Sequence, residues 1–579
     1  MIYVKCVLKE LAGYKKELFL IVLTVIGTTL STLGLPSLLM RLIDVAIPNE
    51  DMAMVLRVGG VMISLVIFGL FCGIVTSKLS ATVSMGVGRN LRSKIFAKVQ
   101  YFSQAEIDKF SASSLITRTN NDVTQVQMFL NQCLRIAIQA PIMCICGIIL
   151  AISSSPQLSG VLVVSIPLMA IILVVIAKVA VPLSTEIQSK IDRINLVMRE
   201  KLTGVRVIRA FGTVDFESKK FDEINRDYQR TNKKLQRTTN AVMPVLIVVL
   251  SLTAALVMLM AANQSLNKNI DYTIGEIMAI IQYIMQIMMA VIMLTLVFVM
   301  LPRASTAAAR AQEVLETEPS IQNKEKTKDN KAKRGYLTFK NVTFKYPGAD
   351  KPAIENLSFE AKPGETTAII GGTGMGKSTV VNLIPRLYDV TEGQVLVDDV
   401  DVRDYDTETL RNKIGFVPQK AVLFSGTIDS NIAFGDRNAD EDRIEEAVKI
   451  AQSYDFVMKK EDGFNSPISQ GGTNVSGGQR QRLAIARAIV RKPEIYVFDD
   501  SFSALDFKTD KSLRQALASE TENATVVIVA QRISTIIDAD RIIVIEKGQV
   551  AGIGTHKQLL KSCDVYKEIV DSQMSKEGQ

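Results

Sequence analysis

Eight consecutive residues, Gly371-Gly372-Thr373-Gly374-Met375-Gly376-Lys377-Ser378, fit the spacing GxxxxGK[ST]. They follow an apolar run, Thr366–Ile370, that reads as a strand, and they precede Thr379–Tyr388, whose pattern predicts a helix. In that context the residue types have a physical purpose. Glycines let backbone N–H groups approach phosphate oxygens, and a helix N-terminus supplies positive dipole at the same place. Lys377 is placed to reach the β- and γ-phosphates of a nucleotide, and the Ser378 hydroxyl to ligate Mg²⁺. A second stretch, Glu494-Ile-Tyr-Val-Phe-Asp499-Asp500, is an apolar strand ending in carboxylates, and Asp499 is the candidate to hold that cation. Strands ending in Asp are common, so this stretch gains its meaning from its neighbours.

The neighbour that matters is Val475-Ser476-Gly477-Gly478-Gln479-Arg480-Gln481-Arg482, which resembles the signature sequence of the ATP-binding cassette family. Other pieces stand in the family's order. Tyr346 is where the family stacks an aromatic on adenine. Gln419, in Val-Pro-Gln-Lys, is similar to the Q-loop, and Ser503-Ala504-Leu505-Asp506 to the D-loop. The resemblance implies ATP and Mg²⁺ as cofactors. Tyr346 and Gly371 through Thr379 would bind the nucleotide, and Ser378, Gln419 and Asp499 the metal. It further implies that two halves pair, so that Ser476, Gly477, Gly478 and Gln479 act on the nucleotide held by a partner chain.

The sequence departs from the family at two catalytic positions. Asp500 stands where the family usually has the Glu that serves as general base. Its side chain is one C–C bond, about 1.5 Å, shorter, and general bases contribute roughly 10²–10⁴-fold. Gln531, in Val527-Ile-Val-Ala-Gln531-Arg532, occupies the switch-histidine position, and glutamine cannot carry an imidazolium charge. The single histidine, His556, lies downstream and reads as a helix-start residue. With an intact signature sequence, the combination resembles the degenerate-site subunit of bacterial heterodimeric multidrug exporters. It implies a different partner chain that carries Glu and His and an altered signature sequence. A homodimer with slow turnover, a lipid or peptide exporter half and a non-transporting ATP-sensing subunit are the alternatives.

The elements that must position these residues divide the chain. Of 579 residues 48% are hydrophobic, and the long apolar runs lie before about residue 303. Mean hydropathy is positive at +0.21, which an ordinary soluble enzyme would not show. Six stretches are long enough to cross a bilayer: Leu18–Ile43, Val55–Thr76, Phe129–Ser153, Leu158–Leu183, Ala241–Ala262 and Ile277–Leu301. The net charge of +8 points to orientation, not to nucleic acid. Asp44–Ala53 and Ser153–Gln157 carry no Lys or Arg and Asn263–Glu276 only Lys268, whereas Ser77–Met128 carries Lys78, Arg89, Arg92, Lys94, Lys98, Lys109 and Arg118. Ser184–Asn240 carries a dozen or so more, and the positive-inside rule then makes these two long inner segments and both termini cytoplasmic, in what the resemblance implies is a bacterial cell membrane. At 1.5 Å per residue those segments reach about 35 Å beyond the bilayer. Contact helices are expected near Gln104–Ser114 and Ala210–Phe216, and the first sixteen residues read as a helix on the membrane surface.

The expected architecture is therefore multi-domain: an all-α transmembrane domain at 1–303, a linker at 304–335 whose polar end, Asn323–Arg334, reads as flexible, and an α/β nucleotide-binding domain at 336–579. None of the six cysteines forms a CxxC pair, which excludes a zinc site or a disulfide framework. The transported molecule is the least legible part. Methionines 278, 285, 288, 289, 293 and 300 and the pair Gln282 and Gln286 suit a pathway for amphipathic substrates, although such methionines more often simply pack.

Overall fold

The computed structural model describes residues 5–268, 272–324, 327–330 and 332–577. It contains two compact units: Met1–Lys98 with Ser113–Thr317, and Val99–Ala112 with Glu318–Gln579.

In the first unit, among the described residues, six helical stretches are long and apolar enough to cross a membrane: Cys6–Ala46, Met52–Gln100, Ala112–Ser154, Pro156–Thr203, Val214–Leu266 and Ile274–Glu316. Each contains one of the expected spans and continues past it, because the amphipathic pattern carries the helix beyond the apolar stretch. Small residues set the close approaches between helices, as they do where lipid removes the hydrophobic incentive to associate. A Cβ on Gly69 would lie 2.3 Å from Ser31 Oγ, and one on Gly147 would lie 2.8 Å from Ile287. The packed centre holds Leu33, Leu158, Met169, Tyr283, Ile287 and Met288. Beyond the apolar zone polar ties take over. Lys190 Nζ donates to Asp227 (2.9 Å) and Thr231 (2.7 Å), joining the fourth and fifth helical stretches.

Three expectations need adjustment. The helix expected near Ala210–Phe216 falls earlier, at Val205–Ala210. Gly212 adopts φ +65° and breaks the chain there before the next helix begins at Val214. The last helix of this unit runs to Glu316, so residues 304–316 are helical where a linker was expected. The run Ala304–Gln312 is rich in alanine, the best helix former, and Ala307, Ala308 and Ala311 are buried. At the other end, the described start of the chain is a short helix, Lys5–Leu11, followed by a 3₁₀ turn, Ala12–Tyr14; the first four residues of that expected surface helix lie outside the described residues.

The second unit is α/β. Its six-stranded sheet runs in the order Gln549–Gly554, Arg541–Glu546, Thr366–Gly371, Thr525–Val529, Ile495–Asp499, Ile414–Val417, and all but the first of these pairings are parallel. Alternate residues feed two separate cores: Tyr496, Phe498, Val526, Ile528 and Val544 one, and Ile495, Val497, Val527, Val529 and Ile545 the other. A parallel sheet covered on both faces reads as a continuous apolar run for this reason. Helix Gly477–Ile489 covers the first face through Leu483 and Ile485, and helix Lys377–Leu383 the second through Val380, Val381 and Leu383. A second sheet orders Ile354–Ala361, Leu337–Phe344, Glu392–Val397 and Val400–Asp401.

The helix expected at Thr379–Tyr388 is earlier and shorter. It starts at Lys377, directly after left-handed Gly376, and ends at Leu383, with Ile384 still helical at its cap and Pro385 next, which has no N–H to continue the ladder. The polar linker end is also tied down more than its composition suggests. Lys328 N donates to Asp404 O at 2.9 Å, Asn323 Nδ2 to Asp406 at 2.6 Å, and Asn330 Nδ2 to Asp398 O at 3.0 Å.

Candidate nucleotide-binding site

A cleft of about 260 Å³ opens at the C-terminal ends of the parallel strands, lined by Tyr346, Thr373, Gly374, Gly376, Lys377, Ser378, Thr379, Gln419, Asp499, Asp500 and Gln531, with Ala353 and Val529. Residues spread over nearly two hundred positions meet there because strands Thr366–Gly371 and Ile495–Asp499 both flank Thr525–Val529 and end at the same edge. This is where open α/β sheets place their ligands.

The phosphate loop is shaped by steric necessity. Gly376 has φ +93°, and a Cβ there would lie 2.7 Å from Ala353 O. Gly371 is packed so that a Cβ would lie 2.2 Å from Ile545 O. Lys377 folds back over the loop, its Nζ donating to the carbonyls of Gly371 (2.8 Å) and Gly372 (2.7 Å). Burial holds its ammonium below the ordinary lysine range, opposed by the charges of Asp500 and Asp499. A cation tethered only by backbone carbonyls is ready to exchange them for phosphate oxygens. Gly372 and Met375 lie in the same loop, and Met375 Sδ accepts from Lys547 N at 3.2 Å.

Ser378 Oγ donates to Asp499 Oδ1 at 3.0 Å. Asp499 is 5% exposed, and burial pushes its carboxyl above the usual range, with Ser378 pulling the other way and Asp500 adding to the rise. Among the described residues no group of three or more His, Cys, Asp or Glu side chains is placed to hold a metal. One hydroxyl and one carboxylate facing a phosphate-sized gap fit Mg²⁺, which keeps waters and takes its remaining ligands from phosphate. Mg²⁺ supplies charge neutralisation on the phosphates when bound.

Asp500 follows with φ +48°, a left-handed backbone that Asp tolerates, its N–H anchored to Val529 O at 3.0 Å. Its Oδ2 accepts from two side-chain amides, Gln531 Nε2 at 2.8 Å and Gln419 Nε2 at 3.2 Å. Burial raises this carboxyl too, against the pull of Gln419 and the Lys377 charge. Tyr346 lies edge-on to Phe344 and Tyr388, and its hydroxyl is 3.0 Å from Thr379 Oγ1.

Ser476, Gly477, Gly478 and Gln479, expected to act on a partner chain's nucleotide, line none of this cleft. They begin helix Gly477–Ile489 elsewhere on the surface. Ser476 Oγ accepts from Gln479 N (3.2 Å) and Ser476 N donates to Gln479 Oε1 (3.0 Å), a reciprocal cap. A Cβ on Gly477 would meet nothing within 4 Å. Asp506, the last residue of the expected D-loop, caps the next helix through Thr509 N at 3.0 Å. His556 opens helix His556–Ser562, its Nδ1 2.8 Å from Tyr566 Oη, and has no part in the site.

One contributor escaped the sequence reading. Gln481 Nε2 donates to Pro418 O at 3.4 Å, joining the signature helix to the segment that carries Gln419. The contact helix expected near Gln104–Ser114 is present at Gln104–Phe110, in a segment, Val99–Ala112, that belongs to this unit: Tyr388 Oη donates to Asp108 Oδ2 at 2.7 Å, and the Ser320 N–H to Glu106 at 3.2 Å. Burial would raise Glu106, but hydrogen bonds from Ser103 and Ser320 outweigh it and hold the carboxyl low. A long inner loop with an internal Ser-x-x-Glu cap, Ser103 to Glu106, was the available signal.

Comparison with known proteins agrees with this geometry. Residues 18–291 match the family described as the ABC transporter transmembrane region, and residues 354–503 the family described as ABC transporter. An uncharacterized ABC transporter ATP-binding protein of Mycobacterium tuberculosis is 40% identical over 569 residues, covering 98% of this chain and 97% of that protein. The ATP-dependent lipid A-core flippase of Salmonella typhimurium is 30% identical over 560 residues, 96% of each. A solved bacterial Atm1-family ABC exporter with ATP bound superposes with a TM-score of 0.80 at 23% identity, over 97% of this chain and 99% of that one. The chain belongs to the ABC transporter family. It has the exporter fold and is an ATP-driven ABC exporter with an ATPase domain that uses ATP and Mg²⁺, of a kind that works as a dimer in the lipid bilayer.

Proposed function

We propose that this chain is the degenerate-site half of a heterodimeric exporter. Its own cleft holds ATP and hydrolyses it slowly, and its Ser476–Gln479 segment completes the competent site of a different partner chain. The observation that carries the reading is the environment of Asp500. A general base must be free to take a proton from water at hydrogen-bond distance. Here one carboxylate oxygen is occupied by two amide donors, Gln531 and Gln419, in the region where an imidazole and a longer carboxylate would otherwise stand. Tyr346 then stacks adenine, Gly371 through Thr379 cradle the phosphates, and Ser378, Gln419 and Asp499 hold Mg²⁺. Both termini are cytoplasmic.

The transported class is amphipathic. An apolar cavity of about 460 Å³ in the membrane unit is lined by Leu35, Leu39, Met62, Ile63, Val66 and Ile67, with Gln282 its one polar residue. Met278, Met285, Met289 and Met293 are exposed on the same helix, whereas Met288 is buried in the packed centre. The lipid A-core flippase among the relatives favours a lipid as the second reading. Vesicle transport with cationic dyes beside labelled lipids separates the two.

The asymmetry is tested in the assembled transporter by two substitutions in this chain. Lys377→Ala disables only its own site, and Ser476→Arg only the site it completes. The heterodimer reading expects most turnover to survive the first and to be lost in the second. Equal loss in both would contradict it, since a homodimer carries each lesion twice.

A further inference from the structure

We infer that Gln573, on the C-terminal helix, is a positioning residue that clips the loop carrying Gln531 and thereby sets how tightly the cleft retains its nucleotide. The inference rests on the proposed role of Gln531 beside Asp500.

The loop needs such a clip. Strand Thr525–Val529 ends at the cleft, and the backbone then leaves regular structure until helix Ile533–Ile536. The residue that caps this helix, Arg532, makes no side-chain cap hydrogen bond. The first N–H groups of a helix lack internal partners and must find them elsewhere. Gln573 supplies one from forty residues away. Its Oε1 accepts from Ile533 N at 2.8 Å, and its Nε2 donates to Gln531 O at 2.8 Å. One side-chain amide thus uses its acceptor and its donor on two backbone groups that bracket Arg532. The backbone of Gln531 is fixed on one side while its side chain donates to Asp500 on the other.

The helix bearing Gln573 is itself held. It spans Asp564–Glu577, and Tyr566 and Val570 on it are 0% and 3% exposed in the core beneath the sheet. Residues 566, 570 and 573 are spaced by four and three, so they lie on one face. Tyr566 is further fixed by His556 Nδ1 at 2.8 Å. The chain of contact runs from a buried anchor through Gln573 to the loop and on to Asp500. A cavity of about 560 Å³, lined by Phe507, Arg514, Ile533, Ile537 and Gln573, lies beside the clip and gives the loop room to move once released.

The test measures release of a fluorescent trinitrophenyl-ATP from the full-length protein in nanodiscs with Mg²⁺. Gln573→Ala removes both hydrogen bonds. Gln573→Glu keeps the acceptor for Ile533 N but cannot donate to Gln531 O, so it isolates the contact to the switch loop. Both variants are expected to speed release about threefold to tenfold, the effect of losing one neutral hydrogen bond. In a Gln531→Ala background, which shows its own faster release, Gln573→Ala is expected to add nothing, because its influence passes through Gln531. Unchanged release in Gln573→Ala and Gln573→Glu, with only a lower unfolding temperature, would overturn the clip, as would an additive effect in the double variant. If Gln531→Ala alone leaves release unchanged, the role of Gln531 fails first and the clip with it.

Discussion

Replacing Ser378 by Ala separates two functions that one hydroxyl combines. Ser378 Oγ is the proposed Mg²⁺ ligand, and it also donates at 3.0 Å to Asp499, whose carboxyl burial has already raised. A hydrogen bond to a charged acceptor contributes about 1.5–3 kcal/mol. Asp499 is 5% exposed, so solvent screening takes little from that figure. Loss of this bond lifts the Asp499 carboxyl further in the direction that burial already pushes it. Mg²⁺ binds the ionised carboxylate, so Mg²⁺-dependent affinity falls as pH drops through that value. The linkage sign for the ligand-free chain is the reverse. A raised carboxyl favours the folded state while protonated, so this contribution is present at low pH and lost as pH rises through the raised value. The assay is affinity for a fluorescent ATP analogue, with excess Mg²⁺ and with chelator, from about pH 5 to about pH 9. Loss of the ligand lowers the plateau at every pH, and loss of the hydrogen bond moves the acid midpoint upward. The chelator curve is expected to lack that limb. A lowered plateau with an unmoved midpoint would refute the account of Asp499, and an unchanged plateau would remove Ser378 from the metal site.

Other substitutions probe the scaffold. Gly371→Ala forces a Cβ to within 2.2 Å of Ile545 O on the neighbouring strand. It is expected to cost about 1–3 kcal/mol, read as a lower thermal unfolding temperature, together with weaker nucleotide binding. Lys413→Ala leaves Asp398, which is fully buried and paired with Lys413 Nζ at 2.9 Å, without its counter-charge. About 3 kcal/mol of stability should be lost, and Asp398→Asn in the same chain should restore part of it.

Much of this site was legible because its residues are constrained locally. The phosphate loop requires glycine where the backbone crowds Ile545 and Ala353, and that requirement appears in any window of eight residues. The buried parallel strands announce themselves as apolar runs, and Thr366–Gly371 and Ile495–Asp499 fall where expected. Strand Ile354–Ala361 escaped because exposed Glu355, Asn356 and Glu360 interrupt its apolar pattern. The second contact helix was misplaced because Gly212, the true break, sits inside the stretch where a helix was expected. Ties between distant positions leave no mark on local pattern. Nothing near Gln481, Tyr388 or Gln573 in sequence indicates Pro418, Asp108 or Gln531 as partners. The linker shows the same limit, since its lysines and asparagines look solvated until their aspartate partners are seen.

The central claim is that Asp500 and Gln531 make this chain's own site a slow one. The most direct measurement is the ATPase rate of the purified chain alone, beside a variant carrying Asp500→Glu and Gln531→His. The account predicts near-background turnover for the native chain and clear turnover for the double variant, in which the longer carboxylate and an imidazole replace the amide-held aspartate. Vigorous turnover by the native chain alone would contradict it and identify a self-sufficient homodimer.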